Sequence, residues 1–296
     1  MKRWSRRGFL AALLTGACTS VARAEAIKRA GKSNANGNLL RLGVTPVILD
    51  DRVGFLNRWR EWLSTRLGTD VELVQRTRYQ EIVDLLLRGQ LDLAWICGYP
   101  YVQHRERLSL IVVPRWQGRP LYRSEIIVPT ESDARRLSDL RDRLFAWTDP
   151  DSNSGWLYPR FKLEESGFDP DRFFRRTFFT WGHARSVQAV AEGLVDGAAV
   201  DSYVRETLVL HASELAARVR VIERSPMFGF PPIVAGPSLD DVQRELVRSV
   251  LLAQSGDAQG RALLADLNLD GFSVETSELY ADIAAMAKRV ELGQKS

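Results

Sequence analysis

Short apolar segments alternate with amphipathic stretches along the chain from residue 39 to about residue 236. Residues 91–97 are almost entirely apolar, as expected for a strand that is buried on both faces of a sheet. Residues 79–87, just before that strand, carry apolar side chains at helical spacing, and Gly89 ends the helical pattern. Repeated strand–helix–strand units of this kind predict an α/β fold in which helices flank mostly parallel sheets.

The strand–helix units fall into two sets, and the second set begins near residue 130. Extended segments near residues 124–129 and 231–236 lie between the two sets and predict a two-strand hinge. We therefore predict two lobes, the first formed by residues 39–128 together with 235–296 and the second by residues 129–234. Ligands of such sheets bind beyond the carboxyl ends of the strands.

Residues 1–24 have the features of a twin-arginine signal peptide. Arg6 and Arg7 precede a short apolar run at residues 8–17, and Ala22-Arg23-Ala24 provides a cleavage site with small residues. The apolar run is about half as long as the roughly 20 residues that a membrane-spanning helix needs. We expect export to the periplasm, followed by a flexible leader at residues 25–38, which are polar and rich in Gly and Asn.

The signal peptide also accounts for the positive charge of the chain. Residues 1–24 hold five basic residues and no acidic residue, so the formal net charge of +4 falls to −1 when they are removed. The remaining 36 basic and 37 acidic residues give no excess positive field, which argues against nucleic acid as a partner.

The chain contains two cysteines, Cys18 and Cys97. Cleavage after Ala24 removes Cys18, so we expect one unpaired cysteine and no intrachain disulfide in the mature protein. Residues 14–18 partly resemble a lipoprotein box, but the leucine lies one position too far from Cys18. Lipid anchoring through Cys18 is therefore the less favoured alternative.

The segment at residues 149–156 follows a predicted strand and opens a predicted helix. Its Ser and Asn side chains and the free backbone N–H groups converge on the positive end of the helix dipole, which suits an anion. A plain helix cap, formed by Ser152 or Ser154, is the alternative interpretation of the same residues.

Several short motifs between about residues 40 and 290 together resemble the phosphate/phosphite/phosphonate-binding proteins of ABC transporters. These motifs are Asp149-Pro150-x-Ser152-x-Ser154-Gly155 with Pro159, Gly182-His183 followed by Ala189-Val190 and Gly193-x-Val195-Asp196, Tyr79 ahead of Gly89-x-x-Asp92-x-Ala94-Trp95, Tyr122-x-Ser124, and Ser225-Pro226 ahead of Pro232-Ile233-Val234. The resemblance implies a type II periplasmic binding protein that closes two lobes on its ligand.

The resemblance also implies the ligand-binding residues. In the family a Ser-Thr-Ser turn holds the anionic oxygens, and here the corresponding residues are Ser152, Asn153 and Ser154, followed by Gly155. Tyr79, Tyr122 and His183 match family positions that face the ligand. The open alternatives are a buried core histidine for His183 and ordinary packing for the two tyrosines.

Two departures from the family pattern bear on the ligand. Family members that take aminoalkyl-phosphonates place acidic groups around the ammonium end, where this chain has Tyr203 and Pro231, with Asp201 nearby but offset. Burying an ammonium group without an acidic partner is costly, so we predict that aminoethylphosphonate is not preferred.

The second departure is Cys97, which with Gly98 and Tyr99 follows a predicted buried strand at the place where the family loop approaches the ligand. A lone cysteine is usually a small buried apolar residue. The alternative is a thiolate ligand for arsenite, since relatives of the family resemble arsenite-sensing binding proteins that use a cysteine.

We predict a small oxyanion as ligand, an ABC permease as partner, a monomer, and no cofactor or metal. The same clamp could instead signal to a periplasmic sensor-kinase domain. A triad of Ser154, His183 and Asp201 can be imagined, but a serine at a helix start suits anion binding better than nucleophilic attack. We therefore predict that the protein is not an enzyme.

Overall fold

The structure is a computed structural model and describes residues 39–45 and 53–293. The predicted signal peptide with its cleavage site, Cys18 and the leader lie outside the described residues.

The described residues form strands that are numbered here in chain order. They are β1 Leu40–Val44, β2 Val71–Gln75, β3 Leu93–Trp95, β4 Ser109–Arg115, β5 Leu121–Tyr122, β6 Ser124–Pro129, β7 Leu144–Trp147, β8 Arg176–Phe179, β9 Gly197–Asp201, β10 Val219–Arg224, β11 Phe228–Gly229, β12 Ile233–Ala235 and β13 Gly271–Ser273.

The helices are numbered in the same way. They are α1 Val53–Leu67, α2 Tyr79–Leu87, α3 Gly98–His104, α4 Tyr158–Glu165, α5 Pro170–Phe173, α6 His183–Ala191, α7 Ser202–His211, α8 Ser213–Ala216, α9 Asp241–Leu252, α10 Ala258–Asp266 and α11 Ala281–Gly293. Short 3₁₀ turns occur at Leu137–Leu140, Gln254–Gly256 and Ser277–Tyr280, and Asn153–Leu157 is a π-helical turn. Within residues 53–293 no helix is both long and apolar enough to cross a membrane.

The first lobe is built on a six-stranded sheet with the order β13-β4-β12-β3-β1-β2. Strands β1, β2 and β3 are parallel, and β12 runs antiparallel between β3 and β4. All residues of β3 are buried, which agrees with its apolar sequence. The carboxyl end of β3 leads directly into Cys97 and α3.

The second lobe is built on a five-stranded sheet with the order β10-β6-β9-β7-β8. Strand β7 is parallel to β8 and β9, whereas β6 is antiparallel to β9 and β10. In each lobe most strands therefore share one direction, as the alternating sequence predicts; β12 and β13 run in the opposite direction in the first sheet, and β6 does so in the second. The carboxyl ends of β7, β8 and β9 lie at the same edge of the sheet.

A two-stranded sheet of β5 and β11 lies between the two larger sheets in the chain path. The lobe boundaries predicted after residues 128 and 234 stay a prediction, but the strands near them are placed differently from the predicted hinge. Strand β6 belongs to the second sheet and β12 to the first, so the chain passes between the sheets a few residues before each predicted hinge segment.

The largest apolar core surrounds the first sheet and extends to residues of the second lobe. It contains Trp59 and Trp95 together with Leu157, Tyr158 and Tyr203. Two smaller cores cover the two faces of the second sheet. The lobes also meet where α11 packs on α4 and α3 packs on the π-helical turn.

Candidate functional site

The turn between β7 and α4 forms the capped helix start that the sequence predicts. The π-helical turn is closed by a hydrogen bond of 3.0 Å from the Leu157 N–H to the Ser152 carbonyl, and Ser152 Oγ accepts the Gly155 N–H at 2.9 Å. Asn153 and Ser154 follow the cap and are buried. Backbone N–H groups at such a helix start carry partial positive charge, which favours a bound anion.

Gly155 is required by a close approach between the turn and the end of β7. A Cβ atom at this position would lie 2.4 Å from both Cβ and Oγ1 of Thr148. The Thr148 hydroxyl donates to the Ala199 carbonyl at 3.1 Å and also lies 3.2 Å from His183 Nδ1. The absence of a side chain on Gly155 therefore lets the turn lie directly on the sheet.

His183 is buried behind the turn and is neutral. Its Nδ1 accepts the Asp201 N–H at 3.0 Å, so the ring hydrogen is on Nε2, which lies 3.4 Å from Ser152 Oγ. Burial lowers the pKa of His183 to about 3. Since Ser152 Oγ accepts from both Gly155 and His183, the hydroxyl keeps its own hydrogen for donation to a third group. His183 thus has the backbone contact of a core histidine and also supports Ser152.

Both lobes contact the turn. The Asn153 N–H donates to Cys97 Sγ at 3.3 Å, and Asn153 Nδ2 donates to the Tyr122 hydroxyl at 2.9 Å. The Tyr79 N–H, at the start of α2, donates to Asp149 Oδ2 at 3.2 Å. Residues from α2, from the end of β3 and from β5 therefore meet the same few residues of the second lobe.

Three buried polar atoms at this meeting point have no hydrogen-bond partner. They are the Tyr79 hydroxyl, Asn153 Oδ1 and Ser154 Oγ. Burial raises the pKa of the neighbouring Tyr122 well above its ordinary value, and the side chains of Asn153 and Ser154 partly offset this increase. Ser154 Oγ is therefore near the Tyr122 hydroxyl, but it makes no hydrogen bond of normal geometry. Buried polar groups in native proteins are nearly always paired, so three unpaired ones together indicate a place for a polar ligand.

Asp201 lies at the carboxyl end of β9 and caps α7. Its Oδ1 accepts the N–H groups of Tyr203 at 2.7 Å and Val204 at 3.3 Å. Burial raises the pKa of Asp201 to about 8, so the carboxyl group carries a proton at neutral pH. Burial likewise raises the pKa of Cys97 to about 11, so its sulfur is a thiol and not a thiolate. Burial raises the pKa of Tyr79 well above its ordinary value, and Cys97 and Asp201 both lie close enough to the Tyr79 hydroxyl to add to this effect when they are ionised.

We call these residues the polar cluster, and its members are Tyr79, Cys97, Tyr122, Ser152, Asn153, Ser154 and Asp201. Among the buried residues that the structure describes, the only arginine or lysine is Arg160, which pairs with Asp171 at 2.6 Å. The polar cluster therefore offers neutral hydrogen-bond donors instead of a buried cation, and it can hold an anion through hydroxyls, amides and the helix start.

Three residues that the sequence predicts for the site lie outside the polar cluster. A Cβ atom on Gly98 would lie 2.8 Å from Ile283, so this residue packs against α11. The Tyr99 ring stacks on Trp156 at a centroid distance of 6.2 Å. The Tyr203 hydroxyl donates to the Leu267 carbonyl in the first lobe. Their positions next to Cys97 and Asp201 in the sequence do not bring these three residues into the polar cluster.

Sequence reasoning also missed supporting residues. Ser124 Oγ donates to the Ser154 carbonyl at 2.7 Å, and the Ser124 N–H donates to Ser225 Oγ at 2.8 Å, so a buried serine pair fixes the turn from the side of β6. Thr148, at the end of β7, supports the turn through its contact with Gly155. The Tyr122-x-Ser124 and Ser225-Pro226 motifs contained the signal for the serine pair, but nothing in the sequence marked Thr148.

Comparison with known proteins identifies relatives of this chain. Residues 42–280 match the family model of the phosphonate ABC transporter periplasmic substrate-binding protein. The chain is 25% identical over 242 residues to the phosphonates-binding periplasmic protein of Escherichia coli K12, and this alignment spans 79% of this chain and 71% of that protein. The chain is also 27% identical over 190 residues to the phosphate-import protein PhnD of Mycolicibacterium smegmatis, and this alignment spans 60% of this chain and 59% of that protein.

The fold also matches solved structures. PhnD1 of Prochlorococcus marinus in complex with methylphosphonate superposes with a TM-score of 0.76 at 20% identity, covering 86% of this chain and 98% of that one. This match confirms the two-lobed type II fold predicted from the sequence. The family match confirms the expectation of a binding protein and not an enzyme. The chain belongs to the family of periplasmic substrate-binding proteins of phosphonate ABC transporters.

Proposed function

We propose that this protein binds a compact phosphorus oxyanion, such as phosphate, phosphite or methylphosphonate, at the polar cluster and delivers it to an ABC permease. The observation that carries the proposal is the group of three buried, unpartnered polar atoms on Tyr79, Asn153 and Ser154. A tetrahedral oxyanion has oxygens that can accept from the Tyr79 and Ser154 hydroxyls, and its small size suits a cluster enclosed by both lobes.

Closure of the lobes would complete the site. Tyr79 and Cys97 come from the first lobe, whereas Asn153 and Ser154 come from the second. A ligand that contacts both sides stabilises the closed form because it binds that form more tightly, and exclusion of water strengthens each polar contact. Small-angle scattering should show a more compact protein with saturating ligand, and identical profiles with and without ligand would contradict this mechanism.

The acidic groups of the described residues do not favour an ammonium-bearing ligand. Three acids are buried among the described residues. Asp201 is protonated at neutral pH and accepts two backbone N–H groups, and Glu125 is paired with Arg205 and Arg224. Both carboxylate oxygens of Asp149 already accept backbone N–H groups, from Tyr79 at 3.2 Å and from Asp151 at 2.8 Å. An ammonium group would be left unpaired, which is costly. We expect aminoethylphosphonate to bind more weakly than methylphosphonate in calorimetry, and tight saturable binding of aminoethylphosphonate would refute this.

The direct test is a thermal-shift screen of the mature protein with phosphate, phosphite, methylphosphonate, arsenate and methanesulfonate, followed by calorimetry on the ligand that stabilises most. Tyr79→Phe and Ser154→Ala should each weaken binding about ten- to hundredfold, since a hydrogen bond to a charged group contributes about 1.5–3 kcal/mol. Ser166→Ala is the matched control for Ser154→Ala, because the Ser166 hydroxyl is exposed and bonds the Lys162 carbonyl within the same lobe, and it should leave the affinity unchanged. The proposal fails if no oxyanion binds or if Tyr79→Phe binds as the parent does.

A second candidate ligand is arsenite, bound by Cys97 in a sensor that signals to a membrane kinase. Its support is the contact between Cys97 Sγ and the Asn153 N–H inside the polar cluster. The raised pKa of Cys97 counts against a thiolate ligand. Cys97→Ser separates the two candidates: it should abolish arsenite binding if the thiol is the ligand, and it should leave phosphonate binding within about threefold if the thiol only accepts a backbone N–H.

We propose that the chain reaches the periplasm by twin-arginine export, which Arg6, Arg7 and the small-residue site at Ala22–Ala24 support. Replacing both arginines by lysine should leave precursor in the cytoplasm, as judged by cell fractionation, and the N-terminal sequence of the exported protein should begin at Glu25. Retention of Cys18 with a bound lipid would refute this cleavage.

A further inference from the structure

We propose that Asn153 makes the site selective for oxyanions that still carry a proton, so that a singly protonated phosphonate is bound in preference to a sulfonate of the same shape and charge. This inference rests on the proposed function, because it assumes that the oxyanion occupies the polar cluster. It concerns the side-chain oxygen of Asn153, an acceptor for which the described residues supply no donor.

The hydrogen bonds of Asn153 fix which of its atoms is left for the ligand. Its N–H donates to Cys97 Sγ at 3.3 Å, and its Nδ2 donates to the Tyr122 hydroxyl at 2.9 Å. Oδ1 is buried and has no partner. A side-chain carbonyl oxygen can only accept a hydrogen bond, so a ligand beside it must bring a donor or leave the oxygen unpaired at a cost.

The neighbouring groups can donate to any oxyanion. The Tyr79 and Ser154 hydroxyls are buried and unpartnered, and the Ser152 hydroxyl retains its hydrogen because Gly155 and His183 occupy its lone pairs. Hydroxyls adapt to a donor or an acceptor, so they do not distinguish a protonated oxyanion from an unprotonated one. Within the described part of the chain, Asn153 Oδ1 is the unpartnered atom of the cluster that makes this distinction.

The charge of the cluster favours the same ligand form. Arg160 is the only buried arginine or lysine among the described residues, and its guanidinium bonds Asp171 at 2.6 Å in the second lobe. Burying two negative charges without a cation costs much more than burying one. A singly ionised phosphonate has one negative charge and one O–H group, so it matches both the neutral donors and the acceptor on Asn153.

Methylphosphonate and methanesulfonate form a matched pair for the test. At mildly acidic pH both are single anions of nearly equal size, but methylphosphonate has an O–H group and methanesulfonate has none. We expect calorimetry on the mature protein to show methylphosphonate binding about ten- to hundredfold more tightly, which is the ratio that an unpaired buried acceptor produces. Asn153→Thr replaces the amide by a hydroxyl, which can donate to either ligand, and should reduce this ratio at least tenfold.

Ser154→Ala is the control within the same turn. It removes a hydroxyl that can donate to either anion, so it should weaken both ligands by a similar factor and leave their ratio unchanged. Circular dichroism and thermal unfolding check that each variant is folded. If Asn153→Thr does not fold, Asn153→Ser provides the same comparison with a smaller side chain.

Two results would overturn the inference. One is equal affinity of the parent protein for the two ligands, which is expected if the Asn153 amide is turned so that Nδ2 faces the ligand. The other is an unchanged ratio in the Asn153 variant. Both are distinguishable from failure of the proposed function, because in that case neither methylphosphonate nor any other oxyanion of the screen would bind.

Discussion

Asp201→Asn should change how the stability of the protein depends on pH. Asn retains an Oδ1 atom that can accept the Tyr203 and Val204 N–H groups, so the helix cap survives. Burial raises the pKa of Asp201 from 3.8 to about 8. Between these values the native protein keeps the proton and the unfolded chain loses it, so the unfolded state binds fewer protons and stability falls as the pH rises. The slope is about 1.4 kcal/mol for each pH unit, and the variant lacks it.

The assay is urea unfolding of parent and variant at intervals from pH 5 to pH 8. The difference in free energy of unfolding, variant minus parent, should rise by about 1.4 kcal/mol per pH unit and level off near pH 8, since other titrating groups such as His183 cancel in the difference. Asp257→Asn is the matched control: Asp257 also caps a helix, but its N–H contacts keep its pKa below the usual range, so its difference should be constant over this interval. A flat difference for Asp201→Asn would mean that the native carboxyl is ionised and that the reasoning is wrong.

Three other perturbations test the geometry of the site. Gly155→Ala should lower the free energy of unfolding by about 1–3 kcal/mol in urea titrations, because its Cβ would clash with Thr148 at the end of β7. Gly256→Ala is the control: its Cβ meets open space, so the free energy of unfolding should fall by less than about 0.5 kcal/mol, as for an ordinary surface change. Equal losses in the two variants would refute the close approach at Gly155. Arg78→Gln removes the guanidinium that lies 4.5 Å from the centroid of the Trp181 ring in the other lobe. In stopped-flow experiments methylphosphonate should dissociate about two- to fivefold faster from this variant, since an exposed cation–π contact contributes about 0.5–1 kcal/mol. An unchanged dissociation rate would show that the contact does not stabilise the closed form. Cys97 should react with iodoacetamide far more slowly than free cysteine at neutral pH, because it is buried and its pKa is about 11; rapid alkylation would show an accessible thiolate.

The fold was largely predictable because the strands that build both sheets are apolar and separated by helical periodicity. Strands β5, β11 and β13 were missed, since two or three residues are too few to show an alternating pattern. The hinge segments stay a prediction, although the strands near them belong to the two larger sheets. β6 and β12 have the strong apolar signal, whereas the short β5–β11 pair between the sheets has none.

The sequence predicts the turn of the site better than it predicts which residues surround that turn. The spacing of Ser152, Asn153 and Ser154 after a strand indicates a helix start, which is a local property. The direction of a side chain is not local: Tyr203 lies two residues after Asp201, yet its hydroxyl reaches a carbonyl in the other lobe. The role of Thr148 depends on the contact with Gly155, which only the folded chain reveals.

The lack of a buried cation in the polar cluster has a consequence for an exported protein, whose surroundings can range from dilute to salty. Dissolved ions weaken attraction between exposed charges, over about 10 Å at 0.1 M ionic strength, but they have little access to hydroxyls and amides enclosed by protein. A ligand held by such groups should be retained almost equally well in fresh and in saline media, so the cell would not need a different protein for each.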